Sequence, residues 1–130
     1  MKTYWDSSAL IEALHDPQLR GRIRPGDNAT RPHSLSEIFS TLTKGVNSRY
    51  SPADAANMAS DLARDIDFVE LSASDAISVL AKASSLGVRG ARIHDLMHAE
   101  AAMKYGADEL LTLDDSGFAT LKLSLRVAAP

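Results

Sequence analysis

The chain has 130 residues, 45% of them hydrophobic, with a formal net charge of −3 and no cysteine. This length and apolar content suit one folded domain with its own core and exclude an intrinsically disordered chain. The lack of cysteine excludes disulfides, thiolate metal sites and a cysteine nucleophile, so we expect a reducing compartment, the cytoplasm.

The first part of the chain predicts two short strands and one helix. The β-forming residues of "KTYW" (2–5) predict a strand, and a helix follows from Ser7 to about His15, where Asp16-Pro17 ends it. The sequence "PGDN" (25–28) has turn chemistry. A second short strand is expected at 29–31.

Apolar stripes predict the next two helices. One helix starts near Ser34 and is expected to end at Gly45, with a buried stripe of Leu35, Ile38, Phe39 and Leu42. The other starts at Ser51-Pro52, because a serine cap, a first-position proline and an acid in the first turn (Asp54) coincide there. Its stripe is Ala55, Met58, Ala59, Leu62 and Ile66.

The second half alternates strands and helices. "DFVEL" (67–71) predicts a strand, and Ser72 with Asp75 has the spacing that starts a helix ending at Gly87. The buried face of that helix is expected to be Ile77, Leu80 and Ala81. An alanine-rich helix then runs from about Asp95 to Tyr105, and the last strands are expected at "ELLTL" (109–113) and "LRVAA" (125–129).

This alternation of strands and helices with short connections predicts an α/β fold with a mostly parallel central sheet. The connections should be right-handed, which puts helices on both faces of the sheet. In such sheets, ligands bind beyond the carboxyl ends of the strands. The search for a functional site therefore concentrates on that edge.

Four acidic residues follow the predicted strands or lie on helices that connect them. Asp6 follows the first strand and Asp114 follows "ELLTL" (109–113), so both should emerge at the same edge. Asp95 begins the helix that leads into that strand, and Glu37 lies in the first turn of the helix after the second strand. Four carboxylates at one edge repel one another. Mg²⁺ or Mn²⁺, which favour hard oxygen ligands, would relieve that repulsion.

Each of these acids also has an ordinary structural interpretation. Asp6 could cap the first helix. Glu37 has the spacing of a capping box behind the serine that opens its helix. Asp95 could be a cap or a first-turn acid, and Asp114 and Asp115 could be turn residues. The prediction of a site therefore depends on the joint placement of the acids.

The remaining motifs are weaker indications of function. His94 and His98 stand four residues apart and could share a helix face as a zinc pair, but no HExxH glutamate lies between them. We expect His15 and His33 on the surface or in loops. No GxxxxGK[ST], GxGxxG or GxSxG motif is present, so neither a nucleotide-phosphate cradle nor a hydrolase elbow is indicated.

The negative net charge means that nucleic-acid binding would have to rest on local basic patches. Two arginine clusters are candidates, with a solvated surface as the more ordinary interpretation: Arg20, Arg22, Arg24 and Arg31, and Arg89 with Arg92. No run approaches the ~20 apolar residues of a membrane span, and the N-terminus lacks the apolar core of a secretory signal. We therefore expect no membrane partner.

Three segments carry a resemblance to a known family: "YWDSSALIEAL" (4–14), "SLSEIFSTL" (34–42) and "GARIHDLMHAEAAMKYGADELLTLDDSGF" (90–118). The last is the most specific, because it joins "GARIxD", a small-residue helix ending in glycine, and "LxTxD…F". On these motifs the chain resembles the PIN-domain ribonucleases, specifically the VapC-like toxins of bacterial toxin–antitoxin pairs. The resemblance implies a PIN-like three-layer α/β/α domain over residues 1–130.

The resemblance also implies roles for individual residues. Four acids would hold one or two Mg²⁺ or Mn²⁺ ions, and two hydroxyls would help to position ligands: Asp6, Glu37, Asp95 and Asp114, and Ser8 and Thr112. The adjacent acid, Asp115, leaves open which carboxylate of the pair faces the metal. Arg92 could contact phosphate oxygens or pair with a nearby acid.

The activity that the resemblance implies is hydrolysis of RNA phosphodiester bonds by a metal-activated water, leaving a 5′-phosphate. The implied partners are the RNA substrate, a cognate antitoxin that fills the cleft, and a second copy in a homodimer. One alternative is a catalytically silent PIN-fold binding module. Another is a phosphoacceptor receiver-like domain, which is disfavoured because "DFVEL" (67–71) is followed by a serine where that class has an aspartate.

Overall fold

The computed structural model describes residues 1–45, 49–121 and 123–130, and its centre is a five-stranded sheet in which every pair of neighbouring strands is parallel. The strand order is β3-β2-β1-β4-β5. The strands are β1 (Thr3–Trp5), β2 (Asn28–Thr30), β3 (Asp67–Phe68), β4 (Glu109–Leu111) and β5 (Arg126–Ala128). The α/β fold with a parallel sheet is thus confirmed.

Helices cover both faces of this sheet. They are α1 (Ser7–Leu14), α2 (Pro17–Arg22), α3 (His33–Thr43), α4 (Pro52–Ala63), α5 (Ala73–Leu86), α6 (Ile93–Tyr105) and α7 (Asp115–Ala119), with a 3₁₀ turn at Gly90–Arg92. Successive side chains of β1 point to opposite faces. Tyr4 joins the core formed with α5 and α6, whereas Trp5 joins the core formed with α1, α3 and α4. Within the described residues, no helix has the length and apolar character needed to cross a membrane.

Several helix ends lie where the sequence predicts them. The Ser51 side chain accepts a hydrogen bond from the Asp54 N–H, and Ser72 and Asp75 form a reciprocal capping box. Gly87 ends α5 and Gly106 ends α6, both with a positive φ that glycine adopts without strain. Local capping chemistry therefore accounts for these boundaries.

Two helices were not predicted. Asp16-Pro17 was interpreted as the end of the first helix, but it also begins α2, because Asp16 caps that helix by accepting from the N–H groups of Gln18 and Leu19. The other is the five-residue α7, where Asp114 and Asp115 looked like turn residues. Both helices are too short to show the apolar periodicity from which a helix is predicted.

Two predictions of buried faces are wrong. On α5, Ile77 and Leu80 are 67% and 54% exposed, and Val79 is the fully buried residue. On α3, Phe39 is 38% exposed, although Ile38 and Leu42 are buried as predicted. The stripe pattern cannot decide between two apolar faces of a helix that is rich in alanine, serine and aliphatic residues. Packing against the sheet decides it.

The orientation of α5 can be checked by stability measurements. Val79→Ala should lower the free energy of unfolding by about 2 kcal/mol, because it leaves a cavity in the core. Ile77→Ala should change it by less than about 0.5 kcal/mol, because that side chain is mostly in solvent. Urea denaturation of both variants measures the difference, and a larger loss in Ile77→Ala would contradict this orientation.

The strand order has a direct consequence for the site. The central strand β1 has β2 on one side and β4 on the other, so the direction in which the chain adds strands reverses at β1. At such a reversal the loops leaving neighbouring strands separate and open a crevice. The residues that follow β1 and β4 leave the sheet at this reversal.

Candidate functional site

The ends of β1 and β4 are tied together by a network of hydroxyls and backbone groups. Asp6, which follows β1, caps α1: its Oδ1 accepts from the Ala9 N–H (2.9 Å) and from the Ser8 hydroxyl (2.6 Å). The Ser8 Oγ in turn accepts from the Leu113 N–H (3.0 Å) and lies 3.4 Å from the Thr112 Oγ1. Asp6 is therefore buried and held in one orientation, with its Oδ1 committed to the fold.

Asp114 is held in a similar way at the start of α7. Its N–H donates to the Thr112 Oγ1 (3.0 Å), and its Oδ1 accepts from the Ser116 hydroxyl (2.8 Å) and the Gly117 N–H (3.3 Å). Both bonds to the carboxylate use Oδ1, and no described residue donates a hydrogen bond to the Oδ2 of Asp114. The neighbouring acid Asp115 is the first residue of α7 and is exposed.

Asp114 and Asp95 approach each other across Gly117. A Cβ atom at Gly117 would lie 2.8 Å from the Asp95 Oδ2 and 3.3 Å from the Asp114 Oδ2. Both oxygens therefore point to one small region that is open because residue 117 has no side chain. The sequence motif included this glycine, but its spacing carried no sign of this role.

The electrostatics of Asp95 follow from its neighbours. Burial is the largest cause that raises the pKa of Asp95, and the charges of Asp114 and Asp6 raise it further. The nearby His98 and Arg92 act in the opposite direction but do not outweigh them. Three carboxylates are thus close enough to repel one another, which is the situation that a bound divalent cation relieves.

Glu37 is held on the other side of Asp6 by a hydroxyl and an imidazole. Its Oε2 accepts from the hydroxyl of Ser7, the residue after Asp6, at 3.1 Å, and its Oε1 lies 3.1 Å from the His98 Nε2. Burial acts to raise the pKa of Glu37, but the hydrogen bond and charge of His98 and the Ser7 hydroxyl hold it below its usual value. Glu37 is therefore ionised at neutral pH.

His98 is the member of the site that the sequence analysis missed. It is buried on α6, and its Nδ1 lies 2.8 Å from the Tyr4 hydroxyl. An ionised Glu37 only accepts hydrogen bonds, so the His98 Nε2 donates to it; in the neutral imidazole Nδ1 then accepts from Tyr4. A histidine beside the buried alanines Ala99, Ala101 and Ala102 was the available signal.

The interpretation of His94 and His98 as a zinc pair is not supported by their placement. The His94 ring stacks on the His33 ring, with 5.5 Å between centroids and 13° between planes. His98 faces the interior and Glu37 instead. His33, expected in a loop or on the surface, is the exposed first residue of α3.

The ordinary structural interpretations of the acids fare differently. Asp6 and Asp114 do cap helices. The capping-box interpretation of Glu37 is wrong, because α3 has no side-chain cap and the Ser34 hydroxyl bonds to Thr30 instead. Asp95 lies in the first turn of α6 without capping it. Capping therefore does not account for Glu37 or Asp95.

The buried Tyr4–His98 contact can be tested by Tyr4→Phe. Removing the hydroxyl leaves the buried His98 Nδ1 without a partner, which should cost about 1–3 kcal/mol of unfolding free energy. Tyr105→Phe is the matched control, because the Tyr105 hydroxyl bonds at the surface to the Gly26 carbonyl and Asp67. Chemical denaturation of both variants should show the larger loss for Tyr4→Phe, and equal losses would contradict the role of the contact.

The donor set suits a hard divalent cation. It consists of carboxylate oxygens with nearby hydroxyls and contains no thiolate, which is the chemistry that Mg²⁺ and Mn²⁺ favour. Across the residues that the structure describes, no three His, Asp or Glu side chains already stand in a geometry that could hold one ion. At Gly117 the Oδ2 atoms of Asp95 and Asp114 face the same space, so two of the oxygens that such a site would use are already neighbours.

Three arginines of the two clusters have partners within the chain. Arg20 pairs with Asp65 (2.7 Å), and Arg22 lies 3.9 Å from Glu109 and above the Trp5 ring. Arg92 donates to the Thr120 hydroxyl (2.6 Å), and its charge also acts on Asp95. These three arginines are thus engaged within the chain.

Comparisons with known proteins agree with this fold. A search of solved structures finds PAE2754 from Pyrobaculum aerophilum (TM-score 0.72, 17% identity, covering 98% of this chain and 89% of that chain). It also finds VapBC2 from Rickettsia felis bound to a promoter DNA fragment (TM-score 0.68, 13% identity, covering 100% of both chains). A third is DNA-bound VapBC from Salmonella typhimurium (TM-score 0.67, 15% identity, covering 98% of this chain and 96% of that chain). No curated protein sequence matches significantly.

At these identities the structural likeness establishes the fold. The family comparison goes further, because the model of the PIN domain matches residues 3–122, which include every acid described above. The chain belongs to the PIN domain family.

Proposed function

We propose that the protein is a divalent-metal-dependent endoribonuclease and the toxin of a toxin–antitoxin pair. The observation that carries the proposal is the approach of Asp95 and Asp114 across Gly117, beside the buried Asp6, at the crevice where the strand order reverses. PIN domains are generally nucleases, and three of the similar structures are VapBC complexes. The resemblance of the motifs to VapC-like toxins points the same way.

Some residues would hold the ions, and others fix the positions of the carboxylates that hold them. Asp6, Asp95 and Asp114 would hold Mg²⁺ or Mn²⁺, with Glu37 at the other side of Asp6. When bound, the ion would lower the pKa of a water molecule and stabilise negative charge on the phosphate. Ser8 and Thr112 keep the carboxylates of the two strand ends at a fixed separation, since their hydroxyls link those ends.

Glu37, held in place by His98, would orient the attacking water and accept its proton. Glu37 is ionised and keeps one orientation because Ser7 and His98 each hold one of its oxygens. It can therefore orient an attacking water at the crevice and accept its proton. His98 is a positioning residue in this scheme, because it acts through Glu37 and not on the RNA.

The partners follow from the same resemblance. An antitoxin segment that carries a basic side chain would compensate the clustered carboxylates and so block the crevice. A homodimer is the expected assembly, and sedimentation of the purified chain would measure it. Of the two adjacent acids we assign Asp114 to the ion site, because its Oδ2 faces the space at Gly117 together with that of Asp95.

The experiment is a cleavage assay on structured RNA with the purified protein. Cleavage should require Mg²⁺ or Mn²⁺, stop with EDTA, resume when the metal is restored, and leave 5′-phosphates. Binding of Mn²⁺ and RNA without cleavage of any RNA tested would overturn the proposal in favour of a catalytically silent PIN-fold binding module.

A further inference from the structure

Arg31 stands at the carboxyl edge of the sheet, next to the acidic crevice. It directly follows β2, the neighbour of β1, and Asp6 directly follows β1. The last residues of the two strands are joined by a hydrogen bond from the Thr30 hydroxyl to the Trp5 carbonyl (2.8 Å). Neighbouring strands lie about 4.8 Å apart, so the backbones of Arg31 and Asp6 leave the sheet side by side.

The guanidinium of Arg31 has no partner within the described part of the chain. Its Nη1 atom is buried and makes no hydrogen bond. Arg20 and Arg22, by contrast, have Asp65 and Glu109 within ion-pair distance. A half-buried charge without a counter-charge is unfavourable, and an anion from outside the chain would remove that cost.

Arg31 lines a cavity of about 580 Å³ between the ends of β2 and β3 and the start of α5. The other cation of the cavity wall, Lys104, is already bonded to Asp75 (2.8 Å) and to the Glu70 carbonyl (2.8 Å). Glu70 also lines this wall and is exposed. Arg31 is thus the cation of this wall whose charge is available to a ligand.

The cavity adjoins a groove that contains one of the four acids. His33 lines it and also lines a second groove, of about 350 Å³, that contains Glu37. Partial desolvation lowers the pKa of His33, and the charge of Arg31 lowers it further. The His33 ring is stacked on His94 and forms an aromatic wall between the cavity and the groove, of the kind on which nucleic-acid bases stack.

We propose that Arg31 binds a phosphate of the RNA strand next to the one that lies at the acids, and so fixes the strand across the site. This inference rests on the proposed function. A phosphodiester chain repeats its anionic group at every nucleotide, so a strand with one phosphate at the crevice must place another nearby. The guanidinium matches two phosphate oxygens with parallel N–H donors, which makes arginine well suited to that contact.

The test measures binding of a short fluorescent single-stranded RNA to the full chain in EDTA, over a range of KCl concentrations. Arg31→Gln should weaken binding about tenfold, as expected for the loss of a charge-assisted contact, and should lower the slope of log K against log salt by about 0.7. Arg31→Lys should restore part of the affinity and the slope. Arg64→Gln is the matched control, because Arg64 is exposed and, among the described residues, pairs only with Asp61 of the preceding helix α4.

Stability separates a binding role from a structural one. Because no described residue pairs with the Arg31 guanidinium, Arg31→Gln should unfold at the same temperature as the wild type or a higher one. A clear fall in unfolding temperature, unchanged RNA binding, or no RNA binding by the wild type would each overturn the inference. A polyglutamate peptide that binds in an Arg31-dependent way, when RNA does not, would assign the cavity to a protein carboxylate instead.

These outcomes are distinct from failure of the proposed function. Arg31-dependent RNA binding without cleavage under any metal would leave this inference standing and remove the nuclease. If the protein cleaved RNA in a metal-dependent way but Arg31→Gln bound RNA as tightly as the wild type, the nuclease proposal would stand and this inference would fall.

Discussion

Asp6→Asn is expected to reduce the rate of RNA cleavage at least about hundredfold while leaving the fold intact. Substitutions in the outer shell of metal sites already cost about 10–100-fold, and Asp6 is proposed to touch the ion directly. Asparagine caps helices as well as aspartate does, and its Oδ1 can keep the bonds from Ala9 and Ser8. The substitution therefore removes the negative charge and little else.

Initial rates with Mg²⁺ and with Mn²⁺, together with thermal unfolding, measure this prediction. Asp16→Asn is the matched control, because Asp16 caps α2 in the same manner but stands outside the crevice. Its cleavage rate should equal that of the wild type. Full cleavage by Asp6→Asn would count against the site, whereas a large fall in its unfolding temperature would show that the charge serves stability.

Gly117→Ala should weaken metal binding without lowering the stability of the fold. The new methyl would lie 2.8 Å from the Asp95 Oδ2, closer than a carbon and an oxygen normally approach, so that carboxylate must move. Displacements of about 1 Å at reacting groups cost on the order of 100-fold, so we expect Mn²⁺ affinity and cleavage to fall by about tenfold or more. Alanine favours helices over glycine by up to about 1 kcal/mol, so stability should hold or rise.

Titration calorimetry with Mn²⁺ and urea denaturation measure the two effects separately. Gly21→Ala supplies the control, since Gly21 lies within α2 with nothing within 4 Å of the position of the new methyl. Its metal affinity should not change. If Gly117→Ala bound Mn²⁺ like the wild type, the space at Gly117 would have no part in metal binding.

The sequence predicted those features that depend on local chemistry. The caps at Ser51 and Ser72 and the glycines that end α5 and α6 were foreseeable, because each is set by contacts within a few residues. The placement of Asp6 and Asp114 at one edge followed from strand direction alone. General rules for parallel sheets were enough to direct attention to the crevice.

Features that depend on packing were not predictable. Ile77 and Val79 are both aliphatic, and which of them is buried depends on how α5 lies on the sheet. His98 stands 61 residues from Glu37 and 94 from Tyr4, and no local pattern connects these three residues. The space at Gly117 likewise exists because α7 packs beside α6. Distances between elements that are remote in sequence determine all three.

The pairing of β1 with β4 joins segments that are 106 residues apart in the chain, since Thr3 lies opposite Glu109 in the register. During synthesis, a growing polypeptide that has not reached residue 111 has no second neighbour for its first strand and cannot bring Asp114 to Asp6. Contacts between such distant segments also form late and slowly. For the nuclease proposed above, the active centre would therefore assemble only after β4 and Asp114 have been synthesised.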